Sequence, residues 1–219
     1  MKIGAITIGQ SPRVDVTPEI IGYMGKVEVL EAGALDGLTK DEIAGFKPSD
    51  GDYVLTSRLN DGSSVVFAKR FILPQLQKCI YDLEGKGAKL IVFYCTGEFP
   101  DFHSNVPLYF PDAMLKSTVP SLVSGRSVVI LTPLPEQVEQ SQQKWNSIPN
   151  VKSVAVTPYG SWEDLEKAAD SLQVTNTGLI VMDCIGYTKK MKELFVKKTG
   201  AQVVLSRTLM ARLIGELVE

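Results

Sequence analysis

The chain has 219 residues, enough for one large domain or two small lobes, and 44% are hydrophobic against 22% charged, an ordinary globular balance with the apolar mass for a core. A formal net charge of −2 argues against a nucleic-acid partner, because polyanion binders need basic surface to displace counterions. No apolar run approaches the roughly 20 residues of a membrane helix, and Met1-Lys2-Ile3-Gly4-Ala5-Ile6 lacks the apolar stretch and cleavage site of a secretory signal, so no membrane is expected and the expected compartment is the cytoplasm.

In chain order, Ile3 to Ile8 reads as a first strand running into the turn Gln10-Ser11-Pro12-Arg13, and Val27 to Leu30 as a second strand. Thr39-Lys40-Asp41-Glu42 is a capping box that opens a short helix. Two β-rich runs, Asp52 to Leu59 and Ser63 to Ala68, flank Asn60-Asp61-Gly62 and read as a hairpin. Ile72, Leu76, Ile80 and Leu83 then fall on one face of an amphipathic helix that Gly85 and Gly87 stop. The run Leu90-Ile91-Val92-Phe93-Tyr94-Cys95-Thr96-Gly97 follows, a short apolar strand buried on both faces and ending in a polar turn.

The second half repeats this plan. Val128 to Leu131 runs into Thr132-Pro133-Leu134-Pro135, Val151 to Val156 is the next strand, and Ser161 with Asp164 caps a helix whose apolar face is Trp162, Leu165, Ala169 and Leu172. Then comes Leu179-Ile180-Val181-Met182-Asp183-Cys184-Ile185-Gly186. Both buried runs read L-I-V-x-x-C-x-G, with an offset of 89 positions from 95 to 184. The opening strands are offset by about 124 positions, so the first half holds roughly 35 extra residues, which include the hairpin. Strand–helix–strand alternation implies parallel sheets with helices on both faces. The expected fold is α/β with two similar lobes: residues 1–105, with the hairpin inserted at about 52–68 and a C-terminal helix 207–219 rejoining, and residues 106–206. Lys189, Lys190, Lys192, Lys197 and Lys198 read as the outer face of a helix with its last pair at the favourable end.

Ligands in parallel α/β sheets bind beyond the carboxyl ends of the strands, where Cys95 and Cys184 both stand. If the halves face each other about a pseudo-twofold axis, the two thiols flank one cleft. A thiol at a strand end can have its pKa lowered by backbone N–H groups and a helix start, and two thiols on opposite faces of one carbon can invert a stereocentre. Such a site also needs donors for a substrate carboxylate, and Ser11, Arg13, Thr96, Gly97, Thr132, Gly186 and Thr188 lie in the right turns. Arg13 and Arg58 are the candidates to grip an anion, the latter because the hairpin can overhang the site. Glu98 and Asp183 either tune the thiols or are simply solvated, and Glu98 joins the substrate-facing set. Cys79 reads as a packing residue and His103, the one histidine, as structural or exposed. Three cysteines and one histidine suit neither a disulfide framework nor a structural zinc site, so no metal is expected. The first turn, Gly9 to Arg13, lacks G-x-G-x-x-G spacing, which argues against a dinucleotide.

Paired cysteines on equivalent strand ends of a duplicated chain resemble the aspartate/glutamate racemase superfamily of amino-acid and hydantoin racemases, maleate isomerases and arylmalonate decarboxylases. Cys95-Thr96 resembles its first motif, Cys-Asn-Thr, with the Asn absent, and Cys184-Ile185-Gly186 its second, Gly-Cys-Thr, with altered neighbours. Within that group the chain is most similar to the AroM family, through Thr7 to Arg13, Gly33 to Leu38, Arg58 to Gly62, Cys95 to Pro100 and Asp183 to Tyr187. The resemblance implies a racemase or isomerase that uses no cofactor and acts on a small carboxylate through Cys95 and Cys184, with Tyr187 added to the substrate-binding set. The alternative is a two-lobed protein that binds a small anion without chemistry. Racemisation, isomerisation and decarboxylation stay open, as does assembly into a homo-oligomer.

Overall fold

The computed structural model describes residues 1–173 and 177–218. By internal contacts the chain forms two compact units, Met1–Asp112 with Ala211–Glu219, and Ala113–Met210. Glu219, the last residue of the expected C-terminal helix, lies outside the described residues.

The first unit opens with β1 (Lys2–Thr7), a single turn of helix α1 (Thr17–Ile20) and β2 (Glu28–Gly33). The capping box at Thr39 is formed: its side chain accepts from the Glu42 amide while Glu42 reaches back to the Thr39 amide, which starts α2 (Lys40–Ala44). Strands β3 (Val54–Arg58) and β4 (Ser64–Ala68) pair antiparallel as the expected hairpin, with Gly62 supplying the positive φ its turn requires. Helix α3 (Leu73–Gly85) buries Leu76, Cys79, Ile80 and Leu83 against β1 and β2. Strand β5 (Ile91–Tyr94) is buried along its whole length, and each such fully buried apolar side chain contributes roughly 1.5–3 kcal/mol. A two-residue strand, β6 (Leu108–Tyr109), completes a parallel sheet in the order β2-β1-β5-β6. Phe93, Phe99, Phe102 and Phe110 pack together in the same core as the buried face of α3.

Helix α4 (Pro111–Val123) leads into the second unit and carries Pro120 inside it, a residue that makes a helix hard to read here from sequence. Then follow β7 (Val128–Thr132), α5 (Val138–Lys144), β8 (Val151–Ala155) and α6 (Trp162–Gln173), whose N-cap Ser161 accepts from the Asp164 amide at 3.2 Å. The unit ends with β9 (Leu179–Met182), α7 (Lys189–Thr199), β10 (Gln202–Leu205) and the start of α8 (Ser206–Gly215). Gly200 takes the left-handed conformation that closes α7. The sheet order is β10-β9-β7-β8, all parallel.

The two sheets share one topology. In each, the opening strand lies between the second strand and the strand that carries the L-I-V run, so β1 and β5 correspond to β7 and β9. The chain leaves β1 toward one edge and returns on the other side as β5, which makes the β1/β5 and β7/β9 boundaries the switch points where α/β sheets bind ligands. Among the described residues the hairpin has no counterpart in the second unit. No helix of the described residues is long and apolar enough to cross a membrane.

Candidate active site

In the first unit, Cys95 directly follows β5 at the switch point, where Tyr94 stands opposite Thr7 of β1. The Gly97 amide turns back and donates to the Cys95 Sγ at 3.3 Å. A side chain at position 97 would put a Cβ 2.9 Å from Leu55 Cδ2, the flexible end of a hairpin side chain, and 3.4 Å from the sulfur, so glycine leaves the turn free to close over the thiol without moving Leu55. The next residue is held at both backbone groups: the Glu98 amide donates to the Tyr53 hydroxyl (3.2 Å), and Lys69 Nζ donates to the Glu98 carbonyl (2.9 Å) while sitting 4.0 Å above the Tyr53 ring. Burial pulls the Lys69 pKa down, and the charges of Glu98, Cys95 and Asp112 pull it back up.

The second unit builds the same turn. Asp183 N donates to the Leu131 carbonyl, Cys184 follows, and the Gly186 amide donates to the Cys184 Sγ, again at 3.3 Å. A Cβ at Gly186 would lie 2.6 Å from the Tyr159 hydroxyl and 2.8 Å from Pro158 Cγ. Ser206 Oγ donates to the Cys184 carbonyl (2.9 Å), and Arg207, fully buried, donates through Nε to the Ile185 carbonyl (2.8 Å). The Asp183 carboxylate points into the core, where Lys144 Nζ reaches both of its oxygens (3.1 and 2.9 Å) and Trp145 Nε1 donates to one (2.8 Å). Both members of this ion pair are buried.

The AroM protein family model matches residues 3–218. The chain belongs to the AroM family. The resemblance read from its sequence blocks is thus borne out. Solved structures with the same fold include a glutamate racemase from Aquifex pyrophilus (17% identity, TM-score 0.62, covering 100% of this chain and 84% of that one). Others are the maleate isomerase Iso from Pseudomonas putida S16 (10%, 0.61, 99% and 93%) and an aspartate racemase from Picrophilus torridus (13%, 0.58, 99% and 94%). At these identities the likeness establishes the fold. Comparison with curated proteins gives no match.

In this AroM-family chain the residues singled out from sequence fall into three groups. Thr96, Gly97 and Glu98 form the Cys95 turn, and Gly186, Tyr187 and Thr188 follow Cys184, with Thr132 buried at the end of β7. Tyr187 is fully buried and its hydroxyl donates to the Val156 carbonyl; burial first, then the nearby Cys184 and Asp183, raise its pKa well above the usual phenol value. Thr188 is the N-cap of α7, accepting from the Met191 amide. The third group gathers at the tip of the hairpin. Arg13 and Arg58, with Gln10, Pro12, Asp15 and Asn60, line an open cavity of about 530 Å³ in the first unit.

The two arginines differ sharply. Arg13 is 4% exposed, bidentate to Asp15 (2.7 and 2.8 Å) and bonded to Thr7 Oγ1 (3.2 Å). Arg58 is exposed and folds its Nε onto the Gly62 carbonyl (3.1 Å). Ser11 binds Asp36 through both its hydroxyl (2.6 Å) and its amide (2.7 Å), and Asn60 ties the hairpin tip to Gln10 and to the Ser11 carbonyl. Cys95 is 9% exposed and Cys184 half-buried; Cys79 is buried on α3, where desolvation pushes its thiol up to about 11. His103 is exposed, its backbone bonded to the Gln77 side chain. No group of three or more His, Cys, Asp or Glu side chains is arranged to hold a metal among the described residues.

Sequence reasoning missed Lys69, Tyr53, Lys144, Trp145, Ser206 and Arg207. Lys69 carries a faint signal, a basic residue directly after the apolar end of the hairpin, Val66-Phe67-Ala68. The others carry none, since Lys144 at the end of α5 reads equally well as a partner of the helix dipole.

Proposed function

We propose that this protein is a racemase or isomerase that needs no cofactor and acts on a small carboxylate, with Cys95 and Cys184 as its acid/base pair. The observation that carries this reading is the repeated turn: at equivalent switch points, each cysteine sulfur receives the amide of the glycine two residues on, at 3.3 Å. A fixed N–H donor favours the thiolate over the thiol, which is what a base at neutral pH requires. One thiolate takes the proton from the carbon next to the carboxylate, forming an S–H bond and leaving the electron pair delocalised into the carboxyl group. The other thiol breaks its S–H bond and delivers that proton to the opposite face. Removing a proton by a group tuned near the working pH is the general acid–base case.

For the carboxylate we propose Arg58, whose exposed guanidinium lines the first unit's cavity. Arg13 would act there as a fixed positive wall, its geometry set by Asp15. Ser11, Thr96, Gly97, Glu98, Thr132, Gly186, Tyr187 and Thr188 complete the proposed set, with Thr132 and Tyr187 shaping it from within the core. The alternative, anion binding without chemistry, draws on one observation, the 9% exposure of Cys95.

Proton exchange separates the two. Chiral amino acids, hydroxy acids and hydantoins incubated in heavy water and followed by NMR should show one substrate that gains deuterium as its configuration scrambles. Cys95→Ala and Cys184→Ala should each abolish inversion. Full activity on that substrate in the double variant would refute the two-cysteine mechanism.

A further inference from the structure

The two cysteine turns are alike in backbone and unlike in what surrounds them. The Cys184 turn is clamped by Ser206 and by Arg207, a guanidinium that keeps its charge at every accessible pH. The Cys95 turn is clamped by residues that the hairpin brings: Tyr53 just before β3 and Lys69 just after β4. Lys69 is an amine and can lose its charge. Its Nζ is fixed on the carbonyl of Glu98 and on the face of Tyr53, three residues along from the sulfur, in surroundings that also hold the carboxylates of Glu98 and Asp112.

We propose that Lys69 is the positioning residue for Cys95: it locks the 95–98 turn through the Glu98 carbonyl and sets its ammonium beside the thiolate. The hairpin that only the first unit carries would then serve to give one thiol of the pair its own titratable cation. This role rests on the reading of Cys95 as one of the acid/base pair. Lys69 moves no proton from substrate. It holds the base in its ionised form, as a nearby opposite charge does. Because both groups titrate and each favours the charged form of the other, they should ionise as a coupled pair. Burial alone already makes Lys69 easier to deprotonate, and the carboxylates of Glu98 and Asp112 and the Cys95 sulfur oppose this, while the Tyr53 ring face holds the amine in place.

The test reads the thiols directly and needs no substrate. Full-length protein made with cysteine isotope-labelled at Cβ gives three resonances, assigned by single Cys→Ser variants and titrated by NMR. Cys79, with its thiol near 11, and Cys184 serve as internal standards. Lys69→Gln keeps a donor for the Glu98 carbonyl and removes the charge. It should raise the Cys95 midpoint by about one pH unit, about tenfold less thiolate at neutral pH, and leave Cys184 in place. Lys69→Arg, which keeps the charge and is the milder change for folding, should hold the midpoint near wild type. Tyr53→Phe loosens the clamp without touching charge and should do the same. An unmoved Cys95 midpoint in Lys69→Gln, or equal movement of Cys95 and Cys184, overturns the role. If Lys69→Gln does not fold, a midpoint in Lys69→Arg displaced as far as one pH unit overturns it, and retention supports it. Such failure would leave the two-cysteine chemistry to the deuterium experiment, and failure of that experiment would leave the coupling of Lys69 and Cys95 standing.

Discussion

Gly186→Ala is the sharpest test of the repeated turn. The new methyl carbon would sit 2.6 Å from the Tyr159 hydroxyl, 2.8 Å from Tyr159 Cζ and 2.8 Å from Pro158 Cγ. Real Cβ atoms do not approach so closely, and neither a phenol ring nor a pyrrolidine yields as a flexible chain end would. Overpacking of this kind costs about 1–3 kcal/mol, and two rigid neighbours place it toward the upper end. A backbone shift that relieves the clash would move the amide away from the Cys184 sulfur. A hydrogen bond to a charged acceptor contributes about 1.5–3 kcal/mol. At about 1.4 kcal/mol per pH unit its loss should raise the Cys184 midpoint by about one to two pH units. Urea denaturation and the cysteine Cβ titration measure the two effects on one sample. Gly97→Ala is the comparison. Its nearest clash is Leu55 Cδ2 at 2.9 Å, the end of a mobile side chain, so the loss of stability should be nearer 1 kcal/mol. A Gly186→Ala protein of wild-type stability and unmoved Cys184 midpoint would refute the idea that these glycines hold the sulfurs.

Lys144→Met should destabilise the protein by about 3–5 kcal/mol in chemical denaturation, because it leaves the buried Asp183 carboxylate without its cation, whereas replacing both partners by apolar residues should restore much of the loss. Arg58→Ala should weaken binding of an anionic ligand by about 1.5–3 kcal/mol in calorimetry with no change in stability, since the side chain is exposed and bonds only within its own hairpin turn. The Cys79 thiol is raised by folding from an ordinary 9.0 to about 11, so its contribution to stability is complete below pH 9 and is lost as pH rises toward 11. Cys79→Ala should therefore flatten the decline in stability over that alkaline range, as followed by denaturation at stepped pH.

Much of the scaffold was legible in the chain itself. The L-I-V-x-x-C-x-G repeat located β5 and β9, the caps at Thr39 and Ser161 located α2 and α6, and Asn60-Asp61-Gly62 located the hairpin turn. These features are local. Backbone conformation and the alternation of buried and exposed positions are set by neighbours within a few residues, so they can be read in order along the chain. Strand β6 escaped because two residues carry no period, and α4 because Pro120 argues against a helix there. The glycine two places after each cysteine was visible as a pattern; its reason was not, since the atoms a side chain would meet come from Leu55 in one unit and from Pro158 and Tyr159 in the other.

What the tertiary structure alone decided is which charges meet. From sequence Arg13 and Arg58 were both candidates to grip an anion, with only the hairpin setting Arg58 apart, yet one is buried against Asp15 and Thr7 and the other lies open on a hairpin tip. Asp183, one residue before Cys184, looked like a neighbour of the thiol, but strand alternation sends its side chain to the opposite face, where Lys144, 39 residues away, is waiting. Lys69 reaches the Cys95 turn across 29 residues to Glu98. Such pairings depend on the packing of elements remote in the chain. Coulombic and hydrogen-bonding partners act over a few ångströms of space, and only the assembled sheet, hairpin and helices determine which residues share them.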